Sequence, residues 1–154
     1  MVRHAHAGSR SSWDGPDATR PLSKKGRRQA ARIADQLAGA GIARLVSSPA
    51  ARCVQTLEPL AERLGLTVDA DGRLLEGATG PEALGLADEL CTADGQAVAV
   101  CSHGDVIPEL LRELRHHGGT RIDDPFLWPK ASTWTVTWDG QRWASASYSP
   151  PPST

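Results

Sequence analysis

The sequence has almost no net charge and no long apolar run, and each shortage excludes a class of protein. The formal net charge of the 154 residues is -1, so there is no globally basic field to hold nucleic acid or a membrane surface. No apolar stretch approaches the length of a membrane span, and Met1 to Arg3 does not resemble a signal peptide. We therefore expect a cytoplasmic protein that acts on neither a nucleic-acid polymer nor a membrane.

Cysteine is also scarce. Cys53, Cys91 and Cys101 are an odd number with no Cys-x-x-Cys spacing, which indicates neither a disulfide framework nor a thiolate metal site. Reduced, partly buried thiols are the expected state. Cys101 lies two residues before His103, on the same face of a predicted strand, so a reactive thiol stays an alternative there.

Helical and strand patterns alternate along the chain, and neither an internal repeat nor a linker interrupts them. This alternation predicts an α/β fold whose mostly parallel central sheet is covered by helices on both faces. One domain is expected over residues 1–149, followed by a disordered tail at 150–154. The predicted helices cover about 23–37, 49–64, 82–90 and 106–114, and the predicted strands include 43–46, one beginning at 66–68, and 98–102.

The two ends of the chain carry separate predictions. Residues 132–138 and 141–147 are expected to form an edge hairpin, joined by the two-residue turn Asp139-Gly140. At the other end only Met1 and Val2 precede Arg3, whereas a strand commonly runs about five residues. A truncated chain with sequence missing upstream, an early natural start and a domain excised from a fusion protein all fit this short beginning.

Two histidines each stand at the end of a short apolar run and at the start of a small-residue turn. They are His4 in Arg3-His4-Ala5 and His103 in Ser102-His103-Gly104. A histidine at the carboxyl end of a buried strand projects into the crevice where open α/β sheets bind their ligands. Arg3 adds a permanent charge that can hold phosphate through two parallel hydrogen bonds. The pair indicates a phosphate-handling site.

A third segment, residues 47–56, reads as a strand end, a Ser cap, Pro49 at the first helical position, and a helix. This arrangement puts Arg52 in the first turn of the helix. Free backbone N–H groups and the positive end of the helix dipole favour an anion there. Two arginines and two histidines are therefore expected to converge.

These segments resemble those of the histidine phosphatase superfamily, which has the phosphoglycerate-mutase-like fold. Arg3-His4, Arg52, Glu76 and the Ser102-His103-Gly104 run follow in the family's order and rough spacing, over nearly the whole chain. Within the family, residues 19–30 are similar to the short SixA-type phosphohistidine phosphatases. They are equally similar to the phosphatase-type domain that follows a Nudix domain in some actinobacterial nucleotide hydrolases, so an upstream Nudix domain is one possible partner.

The resemblance implies metal-independent hydrolysis of a phosphorylated substrate, without a cofactor. His4 would attack phosphorus and form a phosphohistidine that water then hydrolyses. His103 would be the second, phosphate-binding histidine. Arg3 and Arg52 would form a positive cradle for the charge of the transferring group.

The remaining roles follow in the same way. Glu76 is expected to be the general acid that protonates the leaving group, and Asp105, two residues after His103, is the competing candidate. Arg10, in the loop after His4, and Ser102 are expected to contact the substrate. The expected substrates are a phosphorylated protein or a small phosphorylated molecule.

Other functions stay open at this point. A non-catalytic domain could use the same residues to bind a phosphorylated partner or to regulate a fused hydrolase. His4 and His6 also fit a two-histidine metal motif, but Arg3 and Arg52 would repel a cation. Short loops predict an open pocket, which Trp13 could border, and an open pocket favours a protein phosphohistidine or a bulky nucleotide.

Overall fold

Seven strands form one mixed sheet in the computed structural model, which describes residues 1–91 and 95–153. The strands are β1 (Val2–Arg3), β2 (Ile42–Ser47), β3 (Val68–Ala70), β4 (Ala97–Ser102), β5 (Arg121–Ile122), β6 (Thr133–Trp138) and β7 (Trp143–Ser149). The α-helices are α1 (Lys24–Leu37), α2 (Ala51–Leu64), α3 (Gly80–Leu90) and α4 (Val106–Gly118). Single-turn 3-10 helices cover Arg10–Ser12, Asp17–Thr19 and Gly72–Leu74.

The order of the strands brings the ends of β1 and β4 together. Across the sheet the order is β3-β2-β4-β1-β6-β7-β5, and β3, β2, β4 and β1 are parallel. Val2 pairs with Cys101 and Arg3 with Ser102. His4 and His103 each follow directly after these paired strands. The two histidines therefore lie side by side at the same edge of the sheet, where open α/β sheets bind their ligands.

Helices cover both faces of the sheet, which confirms the predicted fold class. On one face α1 and α2 pack with Leu45 and Cys101. On the other face α3 contacts Val46, and α4 contacts Trp134. Because Leu45 and Val46 are consecutive, the alternation of side chains along β2 divides the core between the two faces.

The C-terminal hairpin differs from its prediction in two ways. Trp138 pairs with Trp143, so the loop has four residues rather than the two of Asp139-Gly140. The Asp139 carboxylate accepts from the backbone N–H groups of Gln141 and Arg142, both at 2.9 Å, and this side-chain turn replaces the shorter one. The hairpin is also not at the edge, because β5 pairs with the outer side of β7.

The amino end of β1 lies inside the sheet. The Met1 ammonium donates to the Trp134 carbonyl, and burial lowers the pKa of this amine to about 6. An apolar cavity of 410 Å³ lies beside it, and residues of β4, β6 and α3 line the cavity.

The remaining predictions concern the tail and the membrane. Residues 150–153 follow β7 without helix or strand, and Thr154 lies outside the described residues, so the disordered tail stays a prediction. Among the described helices, none combines the length and apolar character needed to cross a bilayer.

Gly26 allows α1 to approach the chain that follows β1. A Cβ atom at this position would lie 2.0 Å from the His6 carbonyl oxygen, so an alanine requires backbone to move. Ser23 caps the helix at the same place, and its hydroxyl also donates to the His6 carbonyl at 3.1 Å.

We predict that Gly26→Ala and Gly85→Ala change stability in opposite directions. Forcing a side chain into a filled site should lower the free energy of unfolding by about 1–3 kcal/mol in Gly26→Ala. Gly85, in α3, has nothing within 4 Å of an added Cβ, so Gly85→Ala should raise it by about 0.5–1 kcal/mol. Urea denaturation measures both. A stabilised Gly26→Ala protein would contradict the close docking of α1.

Candidate active site

His4 and His103 form the centre of the site at the carboxyl ends of β1 and β4. Their ring centroids are 5.3 Å apart and the rings are inclined at 65°. Both side chains are buried, and the backbone N–H of His4 donates to the Ser102 carbonyl at 3.0 Å. The pairing of the two strands therefore sets the distance between the two imidazoles.

The imidazole of His4 is held in one orientation and kept neutral. Its Nδ1 lies 2.8 Å from the Ala5 carbonyl, and a carbonyl can only accept, so Nδ1 carries the proton and Nε2 keeps a lone pair. Burial, with smaller contributions from His103, Arg52 and Arg3, lowers the pKa of His4 to about 3, although the Ala5 hydrogen bond opposes the shift. A neutral imidazole with a free lone pair is a nucleophile.

His103 is anchored through its opposite nitrogen. Its Nε2 lies 2.8 Å from the Ser48 hydroxyl. Its Nδ1 lies 3.4 Å from Nη2 of Arg52 and 3.7 Å from a carboxylate oxygen of Glu76. Nδ1 is therefore the nitrogen that faces the charged side chains.

Ser48 has a different role from the one predicted for this segment. The helix α2 begins at Ala51, its N-cap is Ala50, and no side chain caps it. Pro49 is thus outside the helix. The Ser48 hydroxyl contacts His103 instead, and it also accepts from the Ala50 backbone N–H at 3.3 Å. Ser48, which the sequence predicts as a helix cap, instead positions the imidazole of His103.

Arg52, in the first turn of α2, is buried beside the two histidines. Its Nη1 donates to the Asp17 carbonyl at 2.8 Å. Its Nη2 lies 3.1 Å from the Asp17 carboxylate and 3.2 Å from that of Glu76. Its Nε is buried without a hydrogen-bond partner among the described residues.

Arg3 approaches the site from β1. Its Nη1 donates to the Trp128 carbonyl at 2.7 Å, and its buried Nε also lacks a partner within 1–91 and 95–153. Burial lowers the pKa of Arg3, while the charges of Asp105 and Glu76 raise it. A Cβ at Gly104 would lie 2.6 Å from the guanidinium carbon, so only glycine leaves room for Arg3 here.

Two carboxylates hold the arginines in place. Nη2 of Arg10 lies 3.0 Å from Asp17 and 2.8 Å from Glu76, although 63% of its side chain is exposed. Burial alone would raise the pKa of Asp17, but hydrogen bonds from Arg20 and Arg10 lower it to about 2. Asp17 was not among the predicted site residues. An acid in a polar loop is usually solvated, and only its position three residues before Arg20 hints at a partner.

The structure does not bring every predicted residue to the histidines. The Ser102 hydroxyl donates to the Leu74 carbonyl at 2.8 Å, so it ties β4 to the loop before Glu76 rather than facing the cradle. The Asp105 carboxylate accepts from the backbone N–H of Gly77 at 2.8 Å, which positions the residue after Glu76. Glu76, by contrast, contacts both Arg52 and His103.

His4 and His6, the residues of the alternative metal motif, each have a protein partner at Nδ1. Nδ1 of His6 lies 2.7 Å from the Ser23 hydroxyl, at the start of α1. Within the part of the chain that the structure describes, no three His, Cys, Asp or Glu side chains group in a way that could hold a metal ion.

A cysteine that was not predicted as a site residue lies against His103. The Sγ of Cys53 is 3.5 Å from Nε2 of His103, and the side chain is fully buried. Cys101, the predicted candidate for a reactive thiol, is also fully buried, and burial raises its pKa well above the usual value. A high pKa disfavours the thiolate, which is the reactive form.

The comparisons with known sequences identify the family. Residues 1–90, more than half of the chain, match the histidine phosphatase superfamily (branch 1). The chain therefore belongs to the histidine phosphatase superfamily. It is 32% identical over 154 residues to an 8-oxo-(d)GTP phosphatase of Mycolicibacterium smegmatis, a match that covers 99% of this chain and 48% of that protein. The chain thus spans about half the length of this curated relative.

Solved structures share the fold. The protein histidine phosphatase SixA in complex with tungstate superposes with a TM-score of 0.74 at 24% identity, covering 96% of this chain and 91% of that one. A chain assigned to SixA of Nakamurella multipartitia gives 0.74 at 26%, covering 99% and 94%. A mycobacterial glucosyl-3-phosphoglycerate phosphatase gives 0.62 at 22%, covering 74% and 79%. The predicted family and fold are confirmed.

The low pKa of His4 predicts how stability depends on pH. The imidazole titrates near 6.5 when unfolded but at about 3 in the folded protein. Between these values the unfolded chain binds more protons, so unfolding becomes easier as the pH falls, by at most about 1.4 kcal/mol per unit. The neutral His4 therefore costs no stability above pH 6.5, and the free energy of unfolding falls progressively as the pH is lowered toward 3. Urea unfolding of wild type and His4→Gln isolates it, because the other groups titrate in both proteins. Parallel pH profiles would contradict a buried neutral His4.

Proposed function

We propose that the protein is a metal-independent phosphatase that hydrolyses its substrate through a phosphohistidine at His4. The observation that carries this proposal is the arrangement around the two imidazoles. His4 presents Nε2 and His103 presents Nδ1. The buried Nε donors of Arg3 and Arg52 have no hydrogen-bond partner among the described residues. Buried donors without partners call for an acceptor, and the oxygens of a phosphoryl group supply one.

The first chemical step would be attack of Nε2 of His4 on phosphorus. The bond from phosphorus to the leaving group breaks as the bond from nitrogen to phosphorus forms. Arg3 and Arg52 would hold the oxygens on which negative charge accumulates, and the positioned donors contribute most of the rate enhancement. His103 would donate from Nδ1 to the same group. In the second step water attacks phosphorus, orthophosphate leaves and neutral His4 is restored.

Glu76 is the best-placed residue to exchange a proton with the leaving group and then with water. Its carboxylate lies within 3.7 Å of Nδ1 of His103 and contacts Arg52. Its side chain is 42% exposed, so a leaving group and then water can reach the carboxylate, and the proton taken from water replaces the one given to the leaving group. Asp105 lies one hydrogen bond away, on the backbone of Gly77, and we assign it the positioning of the Glu76 loop.

Two substrate classes fit this site. A protein phosphohistidine agrees with the likeness to SixA. A nucleotide is the second candidate. It is favoured by the 8-oxo-(d)GTP phosphatase relative and by a cavity of 200 Å³ lined by Trp13, Gly8 and Arg20, in which an exposed indole could contact a flat base.

We predict that His4 becomes phosphorylated during turnover. After a rapid quench in excess chelator, acid-labile and alkali-stable phosphate should appear on wild type and be absent from His4→Ala. His117→Ala is the control, because His117 is exposed on α4, where it pairs with Glu113. Unchanged turnover in His4→Ala would refute the mechanism. Phosphate binding by wild type without any turnover would instead favour a non-catalytic domain.

The proposed role of Glu76 predicts a dependence on the leaving group. General-acid assistance is worth about 10²- to 10⁴-fold when the leaving group needs a proton and little when it does not. Glu76→Gln should therefore reduce hydrolysis of alkyl phosphates far more than that of p-nitrophenyl phosphate or a phosphohistidine peptide. Asp105→Asn is the matched control. A selective loss in Asp105→Asn would assign the acid to that residue, and a uniform loss in Glu76→Gln would make Glu76 structural.

A further inference from the structure

The imidazole of His103 lies between two side chains that both have hydrogens to donate. A neutral imidazole has one N–H group and one lone pair. The Ser48 hydroxyl is 2.8 Å from Nε2, and Nη2 of Arg52 is 3.4 Å from Nδ1. The two neighbours therefore compete for a single lone pair, and the winner decides which ring nitrogen carries the proton.

Ser48 is held in a fixed position beside β4. Its backbone N–H donates to the Cys101 carbonyl at 2.9 Å, and its carbonyl accepts from the Ser47 hydroxyl at 2.8 Å. Its own Oγ accepts from the backbone N–H of Ala50 at 3.3 Å. The residue is fully buried, so the hydroxyl meets His103 without competition from bulk solvent.

The hydrogen of the Ser48 hydroxyl has a single acceptor. Among residues 1–91 and 95–153, only Nε2 of His103 is placed to accept it. If Nε2 carried a proton and donated to Oγ, the hydroxyl hydrogen would be buried without a partner, and buried donors are rarely left so. The hydroxyl therefore donates, and Nε2 accepts.

Arg52 does not need the lone pair of the ring. A guanidinium Nη nitrogen carries two hydrogens, and Nη2 of Arg52 already faces two carboxylates, those of Asp17 at 3.1 Å and Glu76 at 3.2 Å. Its contact of 3.4 Å with Nδ1 of His103 is longer than either and lies beyond the usual range of a hydrogen bond from nitrogen. Nδ1 is thus free to carry the proton of the ring.

The Cys53 thiol is the competing group at Nε2. Burial raises its pKa, whereas hydrogen bonds with Cys101 and His103 lower it to about 6, and a thiolate would require a proton on Nε2. Its Sγ lies 3.5 Å from Nε2, and it can donate its hydrogen to the Ser102 carbonyl at 3.8 Å. With the thiol donating to Ser102 and the hydroxyl to Nε2, every hydrogen has an acceptor.

We propose that Ser48 is a positioning residue whose hydroxyl, by donating to Nε2, keeps His103 a neutral imidazole with its proton on Nδ1. The consequence for catalysis rests on the proposed phosphatase function, because Nδ1 then offers an N–H to the phosphoryl group. A lone pair on Nδ1 would repel the same oxygen. Ser48 thus makes His103 a hydrogen-bond donor, whereas the Ala5 carbonyl makes His4 a nucleophile.

NMR locates the proton without any turnover. Long-range proton–nitrogen spectra of protein labelled at the histidine nitrogens show which ring nitrogen is protonated, and His103→Gln assigns the signals. At neutral pH, wild type should carry the proton on Nδ1 alone, and Ser48→Ala should move part of it to Nε2. Ser47→Ala is the matched control, because that buried hydroxyl donates to a carbonyl, and its spectrum should match that of wild type.

Kinetics separate the hydrogen bond from simple filling of space. Ser48→Cys keeps a side chain of similar size but replaces a strong donor with a weak one. With p-nitrophenyl phosphate, Ser48→Ala and Ser48→Cys should both lower kcat by about 10- to 100-fold and change KM by less than about threefold, since a donor to the transition state is lost. Ser47→Ala should retain wild-type kcat. Full activity in Ser48→Cys would make Ser48 a packing residue and overturn the proposal.

Two NMR results would also overturn it. A proton on Nε2 of wild type that is lost in Cys53→Ala would make a Cys53 thiolate the partner of His103. Protons on both ring nitrogens would make His103 a cation. Failure of the phosphatase function is distinguishable, because a wild-type protein with the proton on Nδ1 but no turnover would contradict that function alone. Turnover with the proton on Nε2 would contradict only the role of Ser48.

Discussion

β1 is a strand of only two residues, and it is held between β4 and β6 by backbone pairing on both sides. This pairing determines the geometry of the site, because His4 and His103 are the next residues after Arg3 and Ser102, which face each other in the ladder. The imidazoles are therefore placed by main-chain hydrogen bonds and not by flexible loops. Arg3 is placed by the same pairing, and Gly104 leaves the space that its guanidinium fills.

The charges of the site are arranged before any substrate arrives. Asp17 and Glu76 pair with Arg10 and Arg52, so these guanidinium groups would need little rearrangement to bind a phosphoryl group as proposed. Donors that are already in position contribute more to catalysis than donors that must be ordered during the reaction.

The sequence was sufficient to predict the fold class and to bring His4, His103, Arg3 and Arg52 together. Those predictions depend on where short apolar runs give way to small-residue turns, and they held although α2 begins at Ala51 rather than at Pro49. The contacts that Ser48 makes with His103 and Asp17 makes with Arg52 could not be predicted from the sequence. Each depends on a partner distant along the chain: His103 is 55 positions after Ser48. The pattern around Pro49 fits a helix cap equally well, and only the position of His103 shows which group the Ser48 hydroxyl contacts.

Met1 lies inside the sheet, and this position restricts any segment that is joined before it. A peptide fused to Met1 would begin in the interior of the sheet, between β4 and β6, beside the apolar cavity. An extended apolar fusion could continue β1 there as further strand. A charged affinity tag would have to bury its charges or separate β1 from β4, the two strands that His4 and His103 follow. A tag placed after β7 touches none of these pairings, so the end that carries the tag determines whether the purified protein keeps its active-site geometry.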